Sequence, residues 1–204
     1  MRFPSDVAGS TTEQVGFFEV SAELLAQWLL IQYGRGWRLR PPTWESASDA
    51  FHALIPQAAF SREALIPCGR WTLLLNNTPL GTDVGLLPGR AAETLECRAI
   101  RAVSIEDTAL YPARMLDVHT PRSSDVFKLE RSIAAANDGG RWVFETSGEP
   151  YDFEDQCAYR RRLKASRFTS AMLADYLEQL GVPRDLEPDW KAARVLERAE
   201  QSQP

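Results

Sequence analysis

Two histidines and three cysteines are all that the 204 residues offer to imidazole or thiol chemistry. Cys68, Cys97 and Cys157 are far apart and odd in number, and none stands at CxxC or Cys/His ligand spacing. That pattern argues against a disulfide framework and a zinc site, and the three read as free core thiols. No apolar run approaches the roughly 18 residues of a membrane span, and Met1–Gln14 carries no apolar stretch behind a basic start. The chain is therefore expected in the cytoplasm, away from membranes. The nucleophile elbow GxSxG, the Walker lysine and GxGxxG spacing are also missing, so no catalytic residue, metal or cofactor is assigned. An excess of positive charge is lacking too: 23 Lys and Arg stand against 28 Asp and Glu, for a net charge of -5 and a pI near 5.2. A phosphate-tracking surface is disfavoured, nucleic acid is not the expected partner, and a cationic one is electrostatically favoured.

What is present folds. Hydrophobic residues make up 44% of the chain and charged residues 25%, which are ordinary globular values. A single domain over residues 1–204 is expected, with 1–12 a flexible lead-in and 186–204 a peripheral helix. Val20 to Tyr33 repeats apolar residues at helical spacing, with Ser21 to cap it and Gly34 to stop it. Pro41 and Pro42 force the stretch Trp37 to Trp44 into an extended connection, and Glu45 to Ile55 reads as a short helix ended by Pro56. Arg70 to Asn76 reads as a buried strand, and Pro88 begins a helix after a glycine-bearing turn. Further strands are expected at Cys97 to Ile105, Ala113 to Thr120, Phe127 to Ala136 and Arg141 to Thr146. The last two meet across Asn137, Asp138, Gly139 and Gly140, whose tolerance of positive φ favours an antiparallel hairpin. Helices are expected at Phe153 to Ser166, Thr169 to Leu180 and Pro188 to Gln201. The fold class is α+β, a mainly antiparallel sheet of about five strands flanked by N-terminal and C-terminal helices.

Several constellations bear on function. The segment Gly81 to Arg90, strand end to helix start, has the order of an anion-cradling loop, and with His119, His52 or nearby carboxylates it would make a small-ligand or enzyme site. Glu145, Glu149, Asp152, Glu154 and Asp155 crowd the stretch after the hairpin, as a solvated acidic rim or a surface for a basic partner. The run Arg160, Arg161, Arg162 and Lys164 with Arg167 reads as a solvated helix face, paired with Glu154 and Asp155 at helical spacing. Six tryptophans is a high count, and Trp37 and Trp44 lie in or beside loops, where an indole can anchor a partner.

The run Arg131 to Glu145 with its Asn137-Asp138-Gly139-Gly140 turn is followed by Gly148, Pro150, Phe153, Glu154 and Tyr159. Arg167, Phe168, Thr169, Leu173, Tyr176, Leu177, Leu180 and Gly181 come next. Over this C-terminal third the chain resembles small bacterial proteins of the immunity-protein type, acidic α+β partners of secreted toxins. The resemblance implies a non-enzymatic binder that occludes the active site of a cognate toxin, and it carries no catalytic residue. The partner-binding residues expected are Trp37, Trp44, Glu149, Asp152, Glu154 and Asp155.

Overall fold

The computed structural model describes residues 13–42, 44, 46–54, 61–77, 84–185 and 187–198, without the side chains of 47, 48 and 51. The expected lead-in over 1–12, the turn through Gly81 to Asp83 and the helix stop at Pro56 lie outside the described residues. The chain forms two compact units, one drawn from Arg2–Val84 and Glu187–Pro204, the other from Gly85–Leu186.

In the first unit the strands are β1 (Gln14–Phe18), β2 (Trp37–Arg40), β3 (Arg62–Cys68), β4 (Trp71–Asn76) and β9 (Arg194–Arg198). They lie in the order β2-β9-β3-β4-β1, antiparallel at each neighbour. Helix α1 (Ala22–Tyr33) starts where the Ser21 hydroxyl accepts the Leu24 N–H and stops at Gly34, φ 71°. It buries Leu25, Trp28 and Leu29 toward β3 and β9, while Leu24 and Ile31, expected on the same face, point outward. On the other face, Arg62 donates from Nη1 to the carbonyl of Ala53 at the end of the short helix α2 (Ala47–Ala53) at 2.6 Å.

Beneath the C-terminal end of α1 the sheet holds a buried carboxyl. Glu63 takes a hydrogen bond from the Tyr33 hydroxyl at 3.1 Å and another from Asn76, but its Oε2 meets no partner among the described residues. Burial raises its pKa to about 8, against the pull of those two hydrogen bonds. Trp37 stacks on Tyr33 with ring centroids 4.5 Å apart, which joins β2 to the same cluster.

The second unit is a meander of β5 (Ala99–Ile105), β6 (Ala113–His119), β7 (Leu129–Asn137) and β8 (Trp142–Ser147), again antiparallel throughout. Asn137 Oδ1 accepts the N–H groups of Gly139 and Gly140, and Gly139 takes φ 98°, so the expected hairpin closes as its residues require. Helix α3 (Leu87–Thr94) packs against β5 and β6. Helix α4 (Ser170–Gln179), capped by Thr169 on the Met172 N–H, lies against β6. Opposed residues in register place Ile100, Leu116, Val118, Arg131 and Ile133 on one buried face.

The expectation of about five strands flanked by N-terminal and C-terminal helices is overturned: the described residues form nine strands, and the last of them is C-terminal. Within the anticipated helix from Pro188 to Gln201, the described residues Arg194–Arg198 are instead the strand β9. Its polar look comes from Glu197 bridging Arg40 at 2.9 Å and Arg62 at 2.8 Å across the sheet, while Val195 and Leu196 are buried. The anticipated helix over Phe153 to Ser166 is two 3-10 turns, Ala158–Arg160 and Lys164–Ser166. There Glu154 and Asp155 take the N–H groups of Tyr151 and Ala158 with their side chains, a local bonding that competes with the α-helical ladder.

Candidate functional site

The residues expected to bind a partner fall in both units. In the first, Trp44 is 6% exposed and its indole N–H donates to the Trp190 carbonyl at 2.9 Å. It is an internal tie, and no face of it is presented outward. Trp37 is half-buried in its stack on Tyr33. Glu149, Asp152, Glu154 and Asp155 all lie in the second unit, where Glu154 separates from the rest because it turns inward.

Glu154 is 7% exposed and faces Arg131, 2% exposed, which β7 delivers from its buried face. Two parallel bonds join them, Nε to Oε1 at 2.9 Å and Nη2 to Oε2 at 2.6 Å. Arg131 Nη1 also donates to the carbonyls of Ser147 and Gly148, at 3.0 and 2.8 Å. The Tyr151 N–H and the Tyr159 hydroxyl complete the carboxylate at 3.0 and 2.8 Å. Burial pushes the Glu154 carboxyl up, but Arg131 and these donors outweigh it and hold the group below the usual carboxylate range. A charge pair with this many partners is a structural clasp, because an ion this well satisfied has nothing left to offer a ligand. It pins the chain after β8 onto the sheet, and the Tyr176 hydroxyl extends it by accepting the Asp155 N–H at 2.6 Å.

The clasp sets the shape of what remains outward. Beside it lies an open groove of about 500 Å³ with Phe153, Met172 and Tyr176 among its lining and Asp155, Asp175 and Glu178 as its carboxylates. Arg184 answers two of these, through Nη2 to Asp175 and through Nε to Glu178 at 3.0 Å. Asp155 reaches Arg161 at 3.5 Å, and Asp152 is exposed. The groove therefore keeps an excess of negative charge over partly aromatic walls, and the phenol ring of Tyr176 is packed by Phe153 and Phe168 at 5.5 and 5.7 Å. Glu149 lies elsewhere, on the rim of a depression shared with the β6–β7 loop.

Of the alternative site, one pair lies together: His119 Nδ1 stands 3.3 Å from where a Cβ on Gly89 would be. His119 Nδ1 stands 2.9 Å from the Phe127 carbonyl, and burial lowers its pKa. His52 is on α2 in the other unit. Of the anion-cradling segment, Gly85 takes φ 49° and Arg90 lies on α3, while 81–83 are outside the described residues. Among the described residues no group of three or more His, Cys, Asp or Glu is placed to hold a metal ion. No helix among them is long and apolar enough to cross a membrane.

Sequence reasoning found the acidic stretch but not its sorting. It missed Arg131, although strand parity with Ile133 and Ala135 puts that charge inward and so demands an anion there. It also missed Asp175, Glu178 and Arg184, whose meeting depends on the turn after α4. No protein family, curated protein or solved structure matches the chain.

Proposed function

We propose that the chain is a non-enzymatic binding protein, an immunity protein that neutralises a cognate bacterial toxin by covering its active site. The observation that carries this reading is the groove of Asp155, Asp175 and Glu178, with Phe153 and Tyr176 among its walls. Toxins that act on nucleic acid present cationic side chains at their catalytic surface, and a preorganised acidic groove meets such groups with little ordering cost. Asp152 and Asp155 are the contact residues from the acidic stretch, and Phe153 and Tyr176 supply apolar contact within the groove. Glu154 and Trp44 contribute by holding the two units' own structures.

Coexpression with the product of a neighbouring toxin-like reading frame tests the proposal. Growth should be protected, and the two chains should elute together. Reversing Asp155 and Glu178 to Lys should weaken the complex by on the order of a hundredfold, mostly through faster dissociation and slower encounter at low salt. Protection that is indifferent to both reversals, or no complex with any such product, would sink it.

A further inference from the structure

β8 ends the meander of the second unit, with β7 on one side and no strand on the other among the described residues. The direction of its backbone groups follows from β7. Asn137 sends its N–H to the Pro112 carbonyl on the β6 side at 2.9 Å, so Ala136 and Ala134 bond toward β8, where they pair with Val143 and Glu145. The alternate residues Trp142, Phe144 and Thr146 therefore aim their N–H and C=O groups away from the sheet, where nothing among the described residues meets them. Free edges are usually blunted. β2, at the end of the first unit's order, carries Arg38 and Arg40 and runs into Pro41 and Pro42, charges and prolines of the kind that keep an edge from pairing. β8 has six residues with no proline and one charge, Glu145.

Beside this edge lies the cationic stretch 160–167. Its second 3-10 turn, Lys164–Ser166, packs over both β7 and β8, and the Arg167 guanidinium lies 5.5 Å from the Phe144 ring centroid. The expected answer to these charges, Glu154 and Asp155, is mostly spent elsewhere: Glu154 on Arg131, and Asp155 on Arg161 alone. Arg160, Arg162 and Lys164 form no ion pair among the described residues. Arg161 and Arg167 close the stretch on itself, Arg161 Nη1 donating to the Ser166 carbonyl at 2.9 Å and Arg167 Nε to the Arg161 carbonyl at 2.7 Å. Strand parity sets Glu145 on the face of β8 opposite to Phe144 and so away from the turn. An acidic chain thus holds a local excess of positive charge along an unpaired strand.

We infer that β8 accepts an extended, acidic segment of a partner protein as a further strand. The unpaired backbone selects an extended polypeptide, and the cations select its carboxylates. Alternate side chains of the segment face Lys164 and Arg167, while those between them lie along Val143 on the other face. Nucleic acid would answer the charges and leave the outward N–H and C=O groups of Trp142, Phe144 and Thr146 unpaired. A second copy of the same edge would set like charges against each other. The inference is independent of the toxin reading, whose groove is acidic and takes a cationic partner.

Fluorescence anisotropy of a short labelled peptide of alternating Glu and Val, titrated with the full chain, decides it. Saturable binding is expected. A Lys-Val peptide should fail for its charge, and a Glu-Pro peptide for want of backbone N–H groups. Arg162→Glu with Lys164→Glu should weaken the Glu-Val complex about tenfold or more at low salt and admit the Lys-Val peptide. Thr146→Pro removes one outward N–H at an exposed position and leaves the β7 ladder intact, so it should weaken binding about tenfold while circular dichroism stays unchanged. Absence of saturable binding overturns the inference, as does equal binding of the Glu-Pro peptide, or binding that either variant leaves unmoved. Oligothymidylate bound in place of the peptide, lost on charge reversal but kept in Thr146→Pro, would assign the stretch to nucleic acid and also overturn it.

Discussion

Arg131 and Glu154 are each almost wholly enclosed, so neither charge is tolerable without the other. Removing one end of such a pair typically costs about 3–5 kcal/mol, because the survivor is left unpaired away from water. Glu154→Gln keeps the shape of the side chain and should destabilise the second unit by about 3 kcal/mol, measured by urea unfolding at neutral pH. A loss under about 0.5 kcal/mol would show that the pair contributes little. The pH response follows the direction of the Glu154 shift. Its carboxyl sits below the unfolded value, so the pair's contribution is present above that value and disappears as acid protonates the folded group. At this scale the sequence was partly legible: strand alternation already sets Arg131 inward, whereas nothing in the spacing of Glu149, Asp152, Glu154 and Asp155 shows which of them turns to meet it.

Elements were read well where local chemistry decides them. Ser21 and Gly34 bound α1, Thr169 starts α4, and Asn137 with Gly139 makes the β7–β8 hairpin. Reading failed where pairing across the sheet decides. β3 contains Pro67, which argues against a central strand, yet the Pro67 carbonyl accepts the Asp189 N–H at 2.8 Å on the side where pairing with β9 has already ended. The missing N–H of Pro67 therefore breaks no ladder bond. β9 and β2 carry arginines and glutamates that suggest solvent, and only their mutual pairing makes them a sheet. One connection is tightly specified: Gly148 takes φ 81°, and a Cβ there would stand 2.0 Å from the Glu130 carbonyl oxygen. Gly148→Ala should cost at least about 2 kcal/mol by thermal or urea unfolding, from left-handed strain plus displaced backbone. Asn should fare no better despite tolerating that φ, since the obstacle is a main-chain atom; full stability of the Asn variant would refute the close approach.

Across the whole molecule, the acidic balance was visible from composition, but its placement was not. Some carboxylates are spent on cross-strand bridges, some gather in the groove, and Glu63 is buried in the first unit with one oxygen unpartnered among the described residues. A carboxyl that keeps its proton to about pH 8 when folded, against a reference of 4.5, makes the folded form bind a proton the unfolded form releases. Stability should therefore fall as pH rises from about 4.5 to about 8 and level off above it. Glu63→Gln should flatten that portion of the urea midpoint plotted against pH; an unchanged slope would mean another group is responsible.

Glu63 also alters what the molecule is as an ion. While that proton is held, the native chain near neutrality is about one unit less negative than the formal -5, and denaturation must release nearly a whole hydrogen ion to the buffer. Unfolding enthalpies from calorimetry will then differ between phosphate and Tris by close to the difference in the heats with which those two buffers take up a proton.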